Sequence, residues 1–455
     1  MKVKEILNVT KGKMLCGNEE LEVENFSKDT RTIQKGDIYI GIKGEKFDGS
    51  NFWNQALDVG ATAVLISNIQ ISKEEKEKYK DKTIIQVEDT LEALYEIAKY
   101  KRSLYNIPVI AVTGSVGKTS TKDIIASVVS QKYKTLKTEG NNNNNIGLPL
   151  TILKLKDHEA LVVEMGMNHF GEISLLTNIA KPTLAVITNI GTSHIGNLGS
   201  RENILKAKLE ILEGMKIPRV IINNDNDLLH KWYEENKEKI EIHTYGINNS
   251  SDIIAEKIEL GEEKSKFVAK TSSEKINIDV PVGGEHFVYN ALCGFMVGKI
   301  LGLSSKEIQN GISKFELTKK RMDIRVLKNG ATLINDSYNA SYESMKASLK
   351  YLSSRTDFRK IAVLGDMLEL GDFSKELHEK VGEEVANDNI DVLICRGEFA
   401  KNIISKANEN KKTQCILLQN NEEILSKLQE ILKEGDVVLI KASNGMKFYE
   451  ICQKL

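Results

Sequence analysis

Around residue 115 the hydrophobic pattern of the chain changes its period. Val109-Ile110-Ala111-Val112 is an unbroken apolar run with three β-branched members, which suits a buried strand. Beyond it Ile124, Ile125, Val128 and Val129 make one apolar stripe at helical spacing. The same alternation of short apolar runs and striped segments covers most of the chain. Asp37–Ile42, Thr62–Ile66 and Thr83–Val87 predict strands, and Leu91–Tyr105 predicts a helix leading out of the first region. Val109–Thr113, Ala160–Glu164, Leu184–Asn189 and Arg219–Asn223 predict the strands of a parallel sheet. Residues 252–280 carry short β-like runs that read as an antiparallel addition. Two helices then follow, Phe287–Leu301 and Ser305–Phe315. Thr332–Ile334, Ile361–Leu364, Val392–Cys395, Ile416–Leu418 and Val437–Ile440 predict a second open α/β sheet. The expected domains are 1–105, 106–318 and 319–455.

The totals narrow the picture without deciding it. In 455 residues, 63 Lys and Arg balance 64 Asp and Glu, so no excess charge calls for nucleic acid or an acidic membrane as partner. No apolar run reaches membrane-spanning length, so no membrane insertion is expected. The start of the chain has neither a leader nor an anchor pattern. Five scattered cysteines, none in a CxxC pair, read as reduced thiols of a cytosolic protein.

Chemistry concentrates where the period changes. Thr113-Gly114-Ser115-Val116-Gly117-Lys118-Thr119-Ser120 lies between strand and helix. Glycines there let the backbone approach a phosphate, and free N–H groups at a helix start point at it. Lys118 can reach β and γ phosphates, and the Thr119 hydroxyl can bind Mg²⁺. The common phosphate-loop pattern has glycine where Val112 stands, so an ordinary βα turn remains the alternative. In a parallel sheet, ligands gather at the carboxyl ends of the strands. Glu164 ends one strand, where a carboxylate can hold Mg²⁺ or simply be solvated. His194 follows another in a loop of small residues, and metal contact, phosphate contact and a structural role all stay open. Lys208 falls on the apolar stripe Ile204, Leu205, Ile211, Leu212 of a helix expected over Arg201–Met215. It is either a lysine snorkelling from the core edge or one with a depressed pKa, able to take up CO₂ as a carbamate. Two glycine- and charge-rich stretches near the start, around Asp29-Thr30-Arg31 and Lys43-Gly44 to Asp48-Gly49, read as solvated turns or as a surface for a polar anion. The run Asn141–Asn145 reads as a flexible polar loop.

Together these residues resemble the Mur ligase family, ATP-dependent amide-forming enzymes of peptidoglycan precursor synthesis. The resemblance rests on the phosphate loop, Glu164, the Asn189/His194 loop, Ala207-Lys208, Gly284-Glu-His286 with Asn290-Ala291, Arg321, and Asp336-Ser-Tyr338-Asn339-Ala340. It implies an α/β fold of three domains: a small N-terminal UDP-binding domain, a central mononucleotide-binding domain and a C-terminal Rossmann-like domain. Val363-Leu-Gly-Asp-Met-Leu-Glu-Leu-Gly371 with His378, Asp336–Ser341 and Leu439–Met446 resemble the type that joins D-alanyl-D-alanine to UDP-N-acetylmuramoyl-tripeptide. Lys320, Asn335 and Ser341-Tyr342 stand where the family has glycine, aspartate and Asn-Pro.

For the site, the resemblance implies the following. Lys118, His194 and Lys208 serve catalysis. Thr113 to Ser120, Asn290, Arg321 and Asp336 bind ATP. Thr119 and Glu164 hold one Mg²⁺, and His194 with carbamylated Lys208 a second. Asp29, Thr30, Arg31, Lys43, Gly44, Asp48, Gly49, Asn142 and Asn145 bind the UDP substrate. A monomer is expected. Other amide ligases of the same build, such as folylpolyglutamate synthase, are the nearer alternatives, and a phosphate-loop kinase or nucleotide switch the more distant one.

Overall fold

The computed structural model describes residues 1–318 and 321–455, with only the backbone of Asn410. The expected boundary at Lys319, the adjoining end of the hinge and Lys320 lie outside the described residues.

Three sheets follow one another along the chain, and each owes its position to the apolar runs. Among the described residues the first has five strands, ordered Lys13–Cys16, Thr83–Gln86, Ala63–Ile66, Ile38–Ile40 and Phe26–Ser27. It is parallel except where Lys13–Cys16 joins the edge. Its two faces are covered separately. One packs toward the large core through Ile38, Ile40, Leu65 and Ile85, and the other buries Tyr39, Trp53, Val64 and Ile84.

Among the described residues the second sheet has nine strands. Val109–Thr113 lies between Ala160–Glu164 and Leu184–Ile187, parallel to both. Every residue of these three strands is buried, as expected of a parallel sheet with helices on both faces. Arg219–Asn223 and Glu241–Gly246 continue the parallel part. Ile253–Leu260 follows, and Ser265–Lys270 and Lys275–Val280 add the expected antiparallel extension. The third sheet has six strands among the described residues, with Val437–Lys441 between Thr332–Asn335 and Lys360–Gly365.

One expectation needs correction. The helix expected over Arg201–Met215 ends at Leu209 and continues only as a 3-10 turn, Glu210–Leu212. There Glu210 turns its carboxylate to the N–H groups of Gly171 and Ser174, 2.8 and 3.1 Å away, at the start of the helix Glu172–Ala180. A carboxylate in that place complements the positive end of the helix. The asparagine run is built rather than loose. Asn144 Oδ1 accepts the N–H of Gly147 at 2.8 Å at the start of the helix Gly147–Leu153. Asn145 donates to the Tyr95 hydroxyl at 3.1 Å, tying the loop to the first region.

Candidate active site

The phosphate loop takes its shape from the end of the neighbouring strand. Ser115 N–H donates to the Asn189 carbonyl at 3.0 Å and Val116 N–H to the Asn189 side chain at 2.9 Å. Thr188 Oγ1 returns a hydrogen bond to the Val116 carbonyl at 2.7 Å. A Cβ on Gly114, whose φ is +149°, would stand 1.9 Å from that same hydroxyl oxygen. Gly117, at φ +80°, starts the helix Lys118–Val129 from the left-handed region. Val112, where the common pattern has glycine, is an ordinary strand residue opposite Glu164 and Val186. The loop proper therefore begins at Gly114.

Around this loop a cleft of about 600 Å³ opens between the second and third sheets. Lys118 donates to the carbonyls of Gly114 and Ser115 at 2.8 and 3.3 Å. Burial pushes its pKa down, Glu164 pulls it back up, and Arg321 pushes it down further. Thr119 donates to Glu164 Oε2 at 2.9 Å, and Asn143 to Oε1 at 2.8 Å. Thr121 donates to Asn290 Oδ1 at 3.0 Å, which leaves Asn290 Nδ2 buried with no partner among the described residues. From the third region Arg321 stacks its guanidinium 4.0 Å from the ring centre of Tyr338, and its Nε is likewise buried without a partner. Asp336 is paired with Lys441 and accepts the Ser348 hydroxyl at 2.8 Å. His286, on the cleft wall, is pushed down to about 4, chiefly by burial, against the opposing pull of Asp336.

Lys208 is 1 % exposed, and no hydrogen-bond or ion-pair partner reaches it among the described residues. Burial, and then the charge of Lys118, push its pKa far down. A lowered pKa makes the unprotonated, nucleophilic form of a lysine easier to reach.

Most of the residues expected to serve catalysis, ATP or metal line this cleft, namely Ser115 to Lys118, Ser120, Glu164, His194, Asn290, Arg321 and Asp336, and so does Asn145. Thr119 and Lys208 lie behind the lining. Asp29, Thr30, Arg31, Lys43, Gly44, Asp48 and Gly49 are elsewhere. Asp29 caps the turn Thr30–Thr32, and Asp48 caps the turn Gly49–Phe52. The two turns are neighbours across Tyr39, whose phenol donates to the Gly49 carbonyl at 2.8 Å. Burial first, then Asp29 and Asp48, raise that phenol to about 12. Asn142 packs against Gly147 and does not line the cleft. Sequence reasoning named neither Asn143 nor the Tyr338–Arg321 stack. Asn143 was hidden inside a run of identical residues, and the stack needs two distant segments to meet.

Among the described residues no group of three or more His, Cys, Asp or Glu side chains is arranged to hold a metal. The donor set at the loop instead pairs a hydroxyl with one carboxylate, which suits a Mg²⁺ that keeps waters and takes oxygens from a nucleotide. The two orphaned nitrogens, Asn290 Nδ2 and Arg321 Nε, are donors of the kind a bound nucleotide would satisfy.

The family model described as the Mur ligase middle domain matches residues 112–298. Those described as the Mur ligase family catalytic domain and the glutamate ligase domain match residues 22–102 and 320–444. The chain belongs to the Mur ligase family. A UDP-N-acetylmuramoyl-tripeptide–D-alanyl-D-alanine ligase of Bacillus subtilis is 37% identical over 457 residues, covering 100% of this chain and 98% of that protein. The Escherichia coli protein of the same name is 30% identical over 96% of this chain and 94% of its own length. The crystal structure of MurF from Acinetobacter baumannii superposes with a TM-score of 0.88 at 30% identity, over 100% of this chain and 98% of that one. MurF ligase from Thermotoga maritima, solved in complex with ADP, gives 0.81 at 28%, over 96% and 98%. The fold of this Mur ligase is thus the three-part α/β fold of those structures.

Proposed function

We propose that this chain is an ATP-dependent ligase that joins D-alanyl-D-alanine to UDP-N-acetylmuramoyl-tripeptide in the synthesis of peptidoglycan precursors. The observation that carries the reading is the cleft. A phosphate loop and Glu164 from one sheet face Arg321 and Asp336 from the next, and two buried donors there lack partners. Full-length relatives of that name, at 37 and 30% identity, support the choice of substrates.

In this reading the tripeptide's terminal carboxylate attacks the γ-phosphorus of ATP, ADP leaves, and an acyl phosphate forms. The amine of D-alanyl-D-alanine then attacks the acyl carbon and gives up a proton, and phosphate departs. Lys118 offsets charge gathering on the transferred phosphoryl group. Asn290 binds on the adenine side, and Arg321 and Asp336 bring the C-terminal domain onto the nucleotide. Closure of that domain shields the acyl phosphate from water. Thr119 and Glu164 would hold one Mg²⁺, and His194 with Lys208 a second. Bound Mg²⁺ supplies Lewis-acid stabilisation of phosphoryl oxygens. In its unprotonated form the buried amine of Lys208 would attack CO₂ and lose a proton, giving a carbamate whose oxygens suit a hard cation.

The paired turns at Asp29–Arg31 and Lys43–Gly49, with Asn142 and Asn145, bind the UDP-sugar, so residues 1–105 are the UDP-binding domain, 106–318 the ATP-binding domain and 319–455 the closing domain. The enzyme acts as a monomer in the cytoplasm, where ATP and UDP-linked precursors are found. Among the described residues no helix is long and apolar enough to cross a membrane. The test is phosphate release from ATP. It should require both UDP-N-acetylmuramoyl-tripeptide and D-alanyl-D-alanine. Release that ignores the dipeptide, or a stable phosphorylated product, would overturn the reading.

A further inference from the structure

At the mouth of the cleft a carboxylate of the third sheet's region meets a histidine of the second. Glu369 Oε2 lies 2.6 Å from His194 Nδ1. Both residues hold φ at +65°, a left-handed conformation that costs non-glycine residues on the order of 1 kcal/mol or more. Such strain persists only where the surroundings impose it, and here they do so from both sides.

On the Glu369 side, its carbonyl accepts the Gly196 N–H at 3.1 Å. Gly196 has no room for a side chain, since a Cβ would stand 2.6 Å from Gly371 N and 2.7 Å from the Glu369 carbonyl. Behind the contact, Leu368 N–H donates to Ser443 Oγ at 2.9 Å, and Met367 N–H donates to Nε2 of the buried His378 at 2.9 Å. His378 Nδ1 in turn donates to the Ser374 carbonyl at 2.6 Å. On the His194 side, Gly191 N–H donates to Ser115 Oγ of the phosphate loop at 2.8 Å. A second carboxylate from the same C-terminal region, Glu343, accepts the N–H and hydroxyl of Thr192 at 2.8 and 3.1 Å. The loop carrying His194 is thus held between the phosphate loop and two carboxylates of the neighbouring region.

We propose that Glu369 is a positioning residue: it accepts the Nδ1–H of His194 and so presents the unprotonated Nε2 to the cleft, and it does this only while the C-terminal region is docked. This rests on the reading that His194 is a cation ligand. A carboxylate on one imidazole nitrogen fixes the tautomer and the ring plane and makes the other nitrogen a better donor. Here that carboxylate comes from across a domain boundary, so the ligand is ready only in the closed arrangement. Two backbone-level contacts, Gly196 to Glu369 and Gly196 to Gly371, set the register of the approach.

The experiment uses the full chain labelled with ¹⁵N-histidine, with the His194 signals assigned by their loss in His194→Gln. The wild type should show a protonated Nδ1 and a bare Nε2. Glu369→Ala should shift His194 toward the opposite tautomer and weaken Mn²⁺ binding, read by electron paramagnetic resonance with ADP present, by about tenfold or more. The thermal midpoint should stay unchanged, because the Glu369 side chain is 51% exposed. Glu369→Gln keeps an acceptor and should keep the tautomer. Gly196→Ala leaves both partners intact but displaces the docked loop, and it should reproduce the nitrogen signature of Glu369→Ala. Unchanged nitrogen shifts in Glu369→Ala overturn the proposal, as does full Mn²⁺ affinity with an altered tautomer. A normal signature in Gly196→Ala overturns its dependence on docking. The nitrogen readout needs neither substrate, so failure of the ligase reading shows separately, as absence of phosphate release with the nitrogen signature intact.

Discussion

Lys118→Met separates a catalytic charge from a structural one, because the two roles predict opposite balances of activity and stability. The half-buried amine gives hydrogen bonds to two loop carbonyls, Gly114 and Ser115. Its loss leaves those carbonyls short of a donor, at a cost of about 1–3 kcal/mol each. Methionine also removes a cation whose desolvation is unfavourable, as the lowered pKa records, which offsets part of that cost. Net stability should therefore fall by about 2 kcal/mol, the low end of the carbonyl cost. For a domain of this size that moves the midpoint by roughly 4–8 °C at most. Turnover has no such offset. Removing one preorganised group aimed at developing charge costs about 10²–10³-fold in kcat, or ~2.7–4 kcal/mol of barrier. Phosphate release at saturating substrates, beside differential scanning calorimetry of the same preparation, reads both. A variant within tenfold of wild-type turnover, or one that loses activity only by unfolding well below the wild-type midpoint, would refute the assignment of Lys118 to the transferred phosphoryl group.

Three further outcomes are expected. Lys208→Ala should lose most activity without unfolding and regain part of it with formate or acetate, whereas Lys208→Arg should not recover; a fully active alanine variant, or density showing a free amine with Mg²⁺ and nucleotide bound, refutes the carbamate. His286 stays neutral in the folded chain down to about pH 4, while the unfolded chain protonates it below about 6.5. Stability should therefore fall as pH drops from 6.5 to 4, by at most about 3 kcal/mol, and His286→Gln should flatten that limb of a plot of midpoint against pH. Gly114→Ala places a methyl group 1.9 Å from Thr188 Oγ1 and should raise the ATP KM at least tenfold through a displaced loop.

The sheets were legible in the sequence where strands are buried on both faces. Val109–Thr113, Ala160–Glu164 and Arg219–Asn223 fall where unbroken apolar runs put them. Asp323–Val326 was not legible, because its alternation Asp-Ile-Arg-Val is only four residues long and all four are exposed. Thr135–Lys137 is a half-buried edge strand of three residues, too short to show a period. The site divides in the same way. Phosphate loop, Glu164 and Lys208 announce themselves by local pattern, since each breaks or ends an apolar run. Glu343 and Glu369 do not, because a carboxylate in a polar loop looks solvated until a partner arrives from more than a hundred residues away. The early end of the helix at Leu209 was hidden for the same reason: Glu210 serves another helix.

The order of strands in the last sheet has a consequence for how the enzyme is made. Val437–Lys441 separates Thr332–Asn335 from Lys360–Gly365, although it is translated about 70 residues after the later of the two. At roughly 5–20 residues per second, the ribosome leaves a gap of several seconds in which those two strands expose unpaired edges. The first two sheets have all their strands by residue 280 and can fold in that interval. The nascent chain can thus assemble its phosphate loop well before it owns the domain that closes over it. Ribosome stalling within residues 366–436 would release a nucleotide-binding fragment with no means of closing.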